Sequence, residues 1–453
     1  MNDDILTAQP AAPPLVTGFE RVGLEHPAPL RSVASWVLYD LANTIFSMGV
    51  VSMFFSLWVD DNVGQDRSTQ VYSVITGISM GIIFILSPLL GAMSDRARRR
   101  MPFLVVSTVL CVAMTVLLAR VGYWGTIVAF VIANAAYQAG LQFYDSLLVE
   151  VTTEQNRGRI GGIGVGVGYF GSYIAVAMGL LLGTSDKALL FTLIAVGFLA
   201  FALPCFFFVG ERGNPRPGKV FDLGVIVSST VETVRTLREG QRFPGLLRFL
   251  VGRMFYTDAI NTVITIMTLY SMSVATSAGY TKPAAARNAM YVMMSAITFA
   301  VIGGFVWGRV VDRLGPKRTL DMVLYLWMFT FTLAGAMGLF GLPVATLWVV
   351  AALAGIALGG VWSADRPLML RLTPPHRIGE FYGLYGMVGR FSAVTGPLIF
   401  AAVTSYTIDI LRLKVPVGQG YGVLSLLTMI VFSWWILRRV DDKPRDWRAL
   451  NAL

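Results

Sequence analysis

Hydrophobic residues along this chain come in long blocks and not in alternation. About twelve mostly apolar runs follow one another, at 34–59, 69–93, 102–121, 123–149, 160–184, 188–209, 246–275, 286–311, 318–341, 344–370, 379–405 and 417–437, each near or above the roughly 20 residues a spanning helix needs. Membrane β-strands need only about half that length. Inside hydrocarbon a lone helix satisfies its own backbone hydrogen bonds, which an open strand cannot do. The pattern predicts an all-α polytopic membrane protein of twelve transmembrane helices.

Composition sharpens the picture. The 453 residues are 55% hydrophobic and only 14% charged, with a mean hydropathy of +0.66. A soluble domain is nearer a quarter charged, and a soluble chain this apolar would lack a polar coat. The net charge of +10 would suggest nucleic acid in a soluble protein. Here its distribution gives a different reason, because with the N-terminus inside, about 25 of the 36 Lys and Arg fall on the cytoplasmic side and about 7 outside. The expected site is the cell inner membrane, multi-pass, with both termini cytoplasmic and no nucleic-acid partner. Residues 1–30 are polar and proline-rich and lack the apolar core of a signal peptide, so they are expected to form a cytoplasmic tail. Residues 211–245 are the one long polar break. They divide the chain into a bundle at 31–210 and a bundle at 246–438, with a short tail at 439–453. Within the break, Leu223, Ile226, Val227, Val231, Val234 and Leu237 fall at near-helical spacing, which fits either an amphipathic surface helix or a plain linker.

The two halves repeat. Asp40-Leu-Ala-Asn43-Thr44 returns as Asp258-Ala-Ile-Asn261-Thr262, 218 positions on. Gly91-Ala-Met-Ser-Asp95-Arg96 returns as Gly308-Arg-Val-Val-Asp312-Arg313 at an offset of 217, and Asp145 returns as Asp365 at 220. Thr153 and Arg157 match Thr373 and Arg377 at that last offset. A parallel six-plus-six repeat is one way in which transporters build two bundles around a central path. The loops after the second and eighth runs resemble the loop motif of the major facilitator superfamily. The second copy, Gly308 to Arg318, fits it well; the first departs, with Ala97 and Arg98 where glycine is usual. Ser35-Trp36-Val-Leu-Tyr39-Asp40-Leu-Ala-Asn43-Thr44 and Tyr144-Asp145-Ser146-Leu147-Leu148, followed by Arg157-Gly158-Arg159-Ile160, resemble the Atg22-like branch of that superfamily. The resemblance implies the major facilitator fold, alternating access and, from the yeast vacuolar members, amino-acid efflux. It also implies a monomer.

An ionisable group in the hydrocarbon costs several kcal/mol, about 2.5–3.5 on insertion scales, and is a functional candidate for that reason. Asp40 and Asp258, each with an asparagine (Asn43, Asn261) about one turn on along the same face, form the candidate proton- or sodium-coupling set. Arg390, placed deepest, and Arg253 are candidates for a substrate carboxylate or phosphate, because guanidinium groups bind such anions with paired N–H donors. Tyr39, Tyr144, Tyr256 and Trp362 neighbour the acidic landmarks and are candidate cavity aromatics. Asp95, Arg96, Asp312, Arg313, Asp145, Glu150 and Asp365 are expected nearer the cytoplasmic interface, where the resemblance implies that the loop aspartates and their arginines form an inner gate tying the bundles together, a network that Asp145, Glu150 and Asp365 would complete. The repeat-related Asp40 and Asp258 fit that role as well.

Other chemistry lacks support. The histidines are His26 and His376, and Cys111 and Cys205 lie in apolar runs, so no metal site and no disulfide framework is expected. Gly166-x-Gly168-x-x-Gly171 spells a dinucleotide fingerprint but lies inside an apolar run with no strand before it. Its small-xxx-small spacings suit close helix packing instead. With no cofactor motif and no ATP-binding loop, the sequence points to a secondary transporter of a small solute and not to an enzyme. A sodium symporter, a lipid-handling membrane protein and a membrane-embedded enzyme are the alternatives.

Overall fold

The computed structural model describes residues 23–183, 185–214, 218, 243–391 and 395–443. Within them the chain is nearly all helix. The N-terminal half holds α1 (Leu30–Val63), α2 (Gln65–Arg96), α3 (Met101–Leu117), α4 (Gly122–Ser146), α5 (Arg157–Leu182) and α6 (Lys187–Phe208). The C-terminal half holds α7 (Leu246–Ser277), α8 (Lys282–Leu314), α9 (Pro316–Phe340), α10 (Thr346–Arg371), α11 (Ile378–Phe391), α12 (Thr395–Ser405) and α13 (Val415–Leu437). α11 and α12 lie within one spanning segment, Pro375–Ile410. Among the described residues eleven segments are long and apolar enough to cross a bilayer, and α3 adds a shorter apolar helix. α3 stops short of the expected 121 because the chain turns after Leu117, with Ala119 at φ 60°. The candidate amphipathic stretch, 222–242, lies outside the described residues, as do 1–22 and 444–453.

Packing repeats with the sequence. α1 packs on α5 and α6, and α7 packs on α11 and α13. Likewise α4 receives α2 and α3, and α10 receives α8 and α9. The halves meet along two equivalent seams, α2 against α11 and α5 against α8. Glycine makes these seams close. A Cβ on Gly162 would stand 2.3 Å from the Gly304 carbonyl oxygen, and one on Gly91 would stand 2.3 Å from that of Gly379. Gly166 packs against Phe305 and the Val301 carbonyl of α8, whereas Gly164, Gly168 and Gly171 face Trp36, Asp40 and Leu41 of α1. The would-be dinucleotide fingerprint is thus two packing faces of α5, because without lateral hydrophobic drive in lipid, helices associate through small residues.

Both described chain ends lie at the end of the bundle where α2 and α8 finish. Leu24 pairs with Thr153 after α4, and the Asp442 carboxylate accepts from the Lys317 backbone N–H at 3.1 Å at the start of α9.

Gly162→Ala puts a methyl group into the Gly304 carbonyl and is expected to lower the melting temperature of the detergent-purified protein, at a cost of about 1–3 kcal/mol. Gly161→Ala, whose Cβ meets nothing within 4 Å, is expected to leave it unchanged or slightly raised.

Candidate functional site

At the end where the chain termini lie, the halves are joined by two equivalent caps. Asp95, in the last turn of α2, accepts the backbone N–H groups of Gly379 and Glu380 at 2.7 Å each, at the start of α11. Asp312, in the last turn of α8, accepts those of Gly158 and Arg159 at 2.7 and 3.0 Å, at the start of α5. A helix N-terminus leaves such donors unsatisfied and carries partial positive charge. Each loop aspartate therefore caps a helix of the opposite half. Arg100 pairs with Asp95 at 2.9 Å, and Arg371 of the C-terminal half reaches Glu154 of the N-terminal half at 3.7 Å. Arg96 contributes its carbonyl to the Gly218 N–H, and Arg313 is exposed. Glu150 pairs with Arg212 at 2.9 Å. The segment after α6 is pinned to the same loop. The Glu211 carboxylate accepts the N–H groups of Arg100 and Met101 at 2.6 and 2.9 Å. Burial pushes that carboxyl up, and the two amides draw it back down.

Deeper in the bundle a polar cavity of about 480 Å³ lies between the halves, lined from α1, α2, α4 and α5 on one side and α7, α10 and α11 on the other. Arg366 of α10 crosses the boundary, with Nε 2.9 Å from Asp145 of α4 and Nη1 3.3 Å from Asp40 of α1. Beside it Asp365 is fully buried and takes Arg253 Nε at 2.9 Å, Tyr256 hydroxyl at 2.6 Å and Tyr385 hydroxyl at 2.8 Å. Arg253 stacks on the Tyr385 ring, 3.6 Å from its centroid. Arg390 of α11 reaches the N-terminal half, donating at 2.8 Å to Ser87 Oγ and at 2.8 Å to the Gln138 carbonyl. Among the described residues no carboxylate pairs with it, and its Nε has no partner. Ser87 also donates to Gln142.

The sequence candidates divide across these two regions. Asp40, Asn43, Asn261, Arg253, Arg390 and Trp362 line the cavity. Asn43 is buried with neither amide atom hydrogen-bonded. Asp258 is buried away from the cavity, where it accepts the Gly396 N–H at 2.7 Å, so Asp40 and its repeat partner are not brought together. Tyr39, Tyr144 and Tyr256 support the site without lining it. Tyr39 bonds Thr108 at 2.6 Å and stacks on Tyr144, and Tyr144 stacks on Trp36. Asp145 and Asp365, expected near the gate, are placed in the cavity region. The chain continues past Asp145 through the short helix Leu148–Val151, and past Asp365 through the end of α10 at Arg371. At 1.5 Å per residue that sets each about 9 Å inward of those ends. Arg366 was legible only as one more charge inside an apolar run; that it bridges two carboxylates of the other half is visible only in three dimensions.

Removing one partner of a buried pair leaves an uncompensated charge. Asp365→Ala is therefore expected to cost about 3–5 kcal/mol of stability. Thermal denaturation of Asp365→Ala, Arg253→Met and the double variant checks this, and the double variant is expected to be less destabilised than the sum of the two singles.

Comparisons with known proteins agree with this geometry. The family model described as "Vacuole effluxer Atg22 like" matches residues 62–442. A Bacillus subtilis (strain 168) relative, named as an uncharacterized MFS-type transporter YxiO, is 25% identical over 90% of this chain and 94% of its own. Autophagy-related protein 22 of Coccidioides immitis (strain RS) is 26% identical over 68% of this chain, which spans 52% of that longer protein. Among solved structures, the human organic anion transporter MFSD10 superposes with a TM-score of 0.66 at 14% identity, covering 90% of this chain and 98% of its own. The proton:xylose symporter XylE superposes at 0.63 with 14% identity, covering 90% and 93%. The Bacillus subtilis relative is named as a transporter, which favours transport over catalysis as this chain's activity. The chain is a multi-pass membrane protein with the major facilitator fold, and it belongs to the Atg22-like family of that superfamily.

Proposed function

We propose that this protein is a proton-coupled secondary transporter of a small zwitterion, an amino acid or a close relative, with the cavity between the halves as its binding site. One observation carries the reading, namely how charge is divided around that cavity. Arg253 and Asp365 neutralise each other. Asp40 and Asp145 share the single guanidinium of Arg366, which leaves one net negative charge. Arg390 stands without a carboxylate among the described residues, which leaves one net positive charge. An ammonium group suits the first cluster and a carboxylate the second, where guanidinium N–H donors give charge-assisted bonds. A cavity of about 480 Å³ falls in the usual range for small-molecule sites.

Coupling follows from the same cluster. Two carboxylates facing one guanidinium carry the charge that a single proton cancels, and protonating Asp40 or Asp145 releases Arg366 from one of its anchors in the opposite half. Separation of the halves then requires the Asp95 and Asp312 caps to open. The halves are joined at the end that carries the described termini. On the expected orientation, with positive residues inside, that end is cytoplasmic, so the form described is closed toward the cytoplasm of an inner-membrane protein acting as a monomer. Asp258, off the cavity, supports α12 and is not part of the coupling cluster.

Uptake or efflux in proteoliposomes under an imposed pH gradient tests the reading. Arg390→Gln is expected to weaken the apparent affinity for the transported amino acid by about tenfold to a hundredfold, the worth of one hydrogen bond to a charged group. Asp40→Asn and Asp145→Asn are expected to abolish gradient-driven accumulation while exchange down a substrate gradient persists. Accumulation driven by sodium and indifferent to pH would replace the proton in this reading.

A further inference from the structure

Outside the transport path, α2 and α3 both pack on α4 yet make no extensive contact with each other, and less than their repeat counterparts α8 and α9 make. The gap is an apolar groove of about 970 Å³, floored by α4 and walled by α2 and α3. Its walls include Leu86, Val106 and Leu110, each substantially exposed. From Pro102 to Leu110 the α3 wall runs about 12 Å at 1.5 Å per residue, close to half of the roughly 30 Å hydrocarbon thickness. The groove is therefore one leaflet deep.

Its mouth is charged. Arg98 and Arg99 line the end of the groove nearest the loop between α2 and α3 and are exposed. They stand where the first loop motif departs from its repeat copy, so the departure supplies these two cations. Neighbouring carboxylates are engaged elsewhere. Asp95 takes the α11 amides and Arg100, and Glu211 takes the amides at the start of α3. The loop is also held in place, because Asn214 donates its N–H to the Arg98 carbonyl at 2.8 Å and its side-chain amide to the Asp95 carbonyl at 2.8 Å. Arg98 borders the gate-side pocket as well, and Arg99 lines the groove but not that pocket.

From this juxtaposition we infer a binding site for an anionic phospholipid of the leaflet on the gate side, with its phosphate at Arg98 and Arg99 and an acyl chain between α2 and α3. Guanidinium groups recognise phosphate oxygens with paired N–H donors, and the groove supplies apolar walls over the depth of one leaflet. The C-terminal half differs here, since α8 and α9 touch more than α2 and α3 do and Gly315 and Pro316 stand at the positions that match Arg98 and Arg99. Lipid in this groove lies along α2, which forms the α2–α11 seam and ends in the Asp95 cap.

The experiment uses purified full-length protein, delipidated in detergent and titrated with dioleoylphosphatidylglycerol or dioleoylphosphatidylcholine. Retained lipid is counted by native mass spectrometry and melting temperature is followed in parallel. The wild type is expected to retain phosphatidylglycerol preferentially and to melt higher with it than with phosphatidylcholine. Arg98→Gln/Arg99→Gln is expected to lose on the order of tenfold in phosphatidylglycerol affinity, and Arg98→Lys/Arg99→Lys to keep most of it. Val106→Trp, at a position 66% exposed where the larger ring fills the groove without disturbing the core, is expected to reduce retention of both lipids. Equal retention of the two lipids by the wild type overturns the proposal. So does unchanged phosphatidylglycerol affinity in the double glutamine variant, and so does a melting-temperature rise from inorganic phosphate that matches that of the lipid.

Discussion

A charge placed in the hydrocarbon of a bilayer must find its counter-charge inside the protein, and in this chain the counter-charge for two aspartates sits in the opposite half. Arg366 holds Asp145 and Asp40 across the boundary between the bundles. The alternative for any of the three is an unpaired charge in a low-dielectric interior, which costs several kcal/mol. The halves are thus tied at the level of the cavity by a bond that is expensive to break without replacement. On the proposed reading, a proton or a ligand ammonium group on the carboxylate side supplies that replacement, and the separation of the bundles becomes conditional on what occupies the cavity.

The second tie lies at the end of the bundle and is of another kind. Asp95 and Asp312 bond to backbone amides at helix starts, so the contact requires only that the helix begin there. It appears twice because the sequence repeats, and glycine spacing lets the partner helices approach closely enough for the carboxylates to reach. Gly158 and Gly379 serve both purposes, donating an N–H and leaving out a side chain; a Cβ on either would stand within 3 Å of the capping carboxylate. On the proposed reading this tie is the gate, and because it rests on backbone amides it suits a closure that must open.

The fold was legible in the sequence because hydropathy blocks and a parallel repeat leave few alternatives for a chain of this length. The equivalence of Asp95 and Asp312 was legible too, since their motif recurs at a fixed offset and lies at the water interface. The cavity was only partly so. Asp40 and Asp258 look equivalent on paper but are used differently. Gly396, at the start of α12, presents an N–H to Asp258, whereas the α5 glycines beside Asp40 leave it facing the cavity and Arg366. Depth misled as well. Asp145 and Asp365 appear close to helix ends in sequence, but the chain continues helically beyond each, which carries them inward. The pairing of Arg366 with two carboxylates more than two hundred positions away has no local signature, because tertiary partners of a buried charge are set by packing and not by spacing along one helix.

The measurement that bears most directly on the dipolar cavity is calorimetric binding of three matched ligands to the wild-type protein: an amino acid, its decarboxylated amine and its deaminated acid. A site with Arg390 at one end and the Asp40–Arg366–Asp145 cluster at the other is expected to bind the amino acid at least about tenfold more tightly than either analogue, since each analogue forfeits one charge-assisted contact. If the acid alone binds as tightly as the amino acid, the carboxylate cluster is not a ligand site and the dipolar reading of the cavity is contradicted.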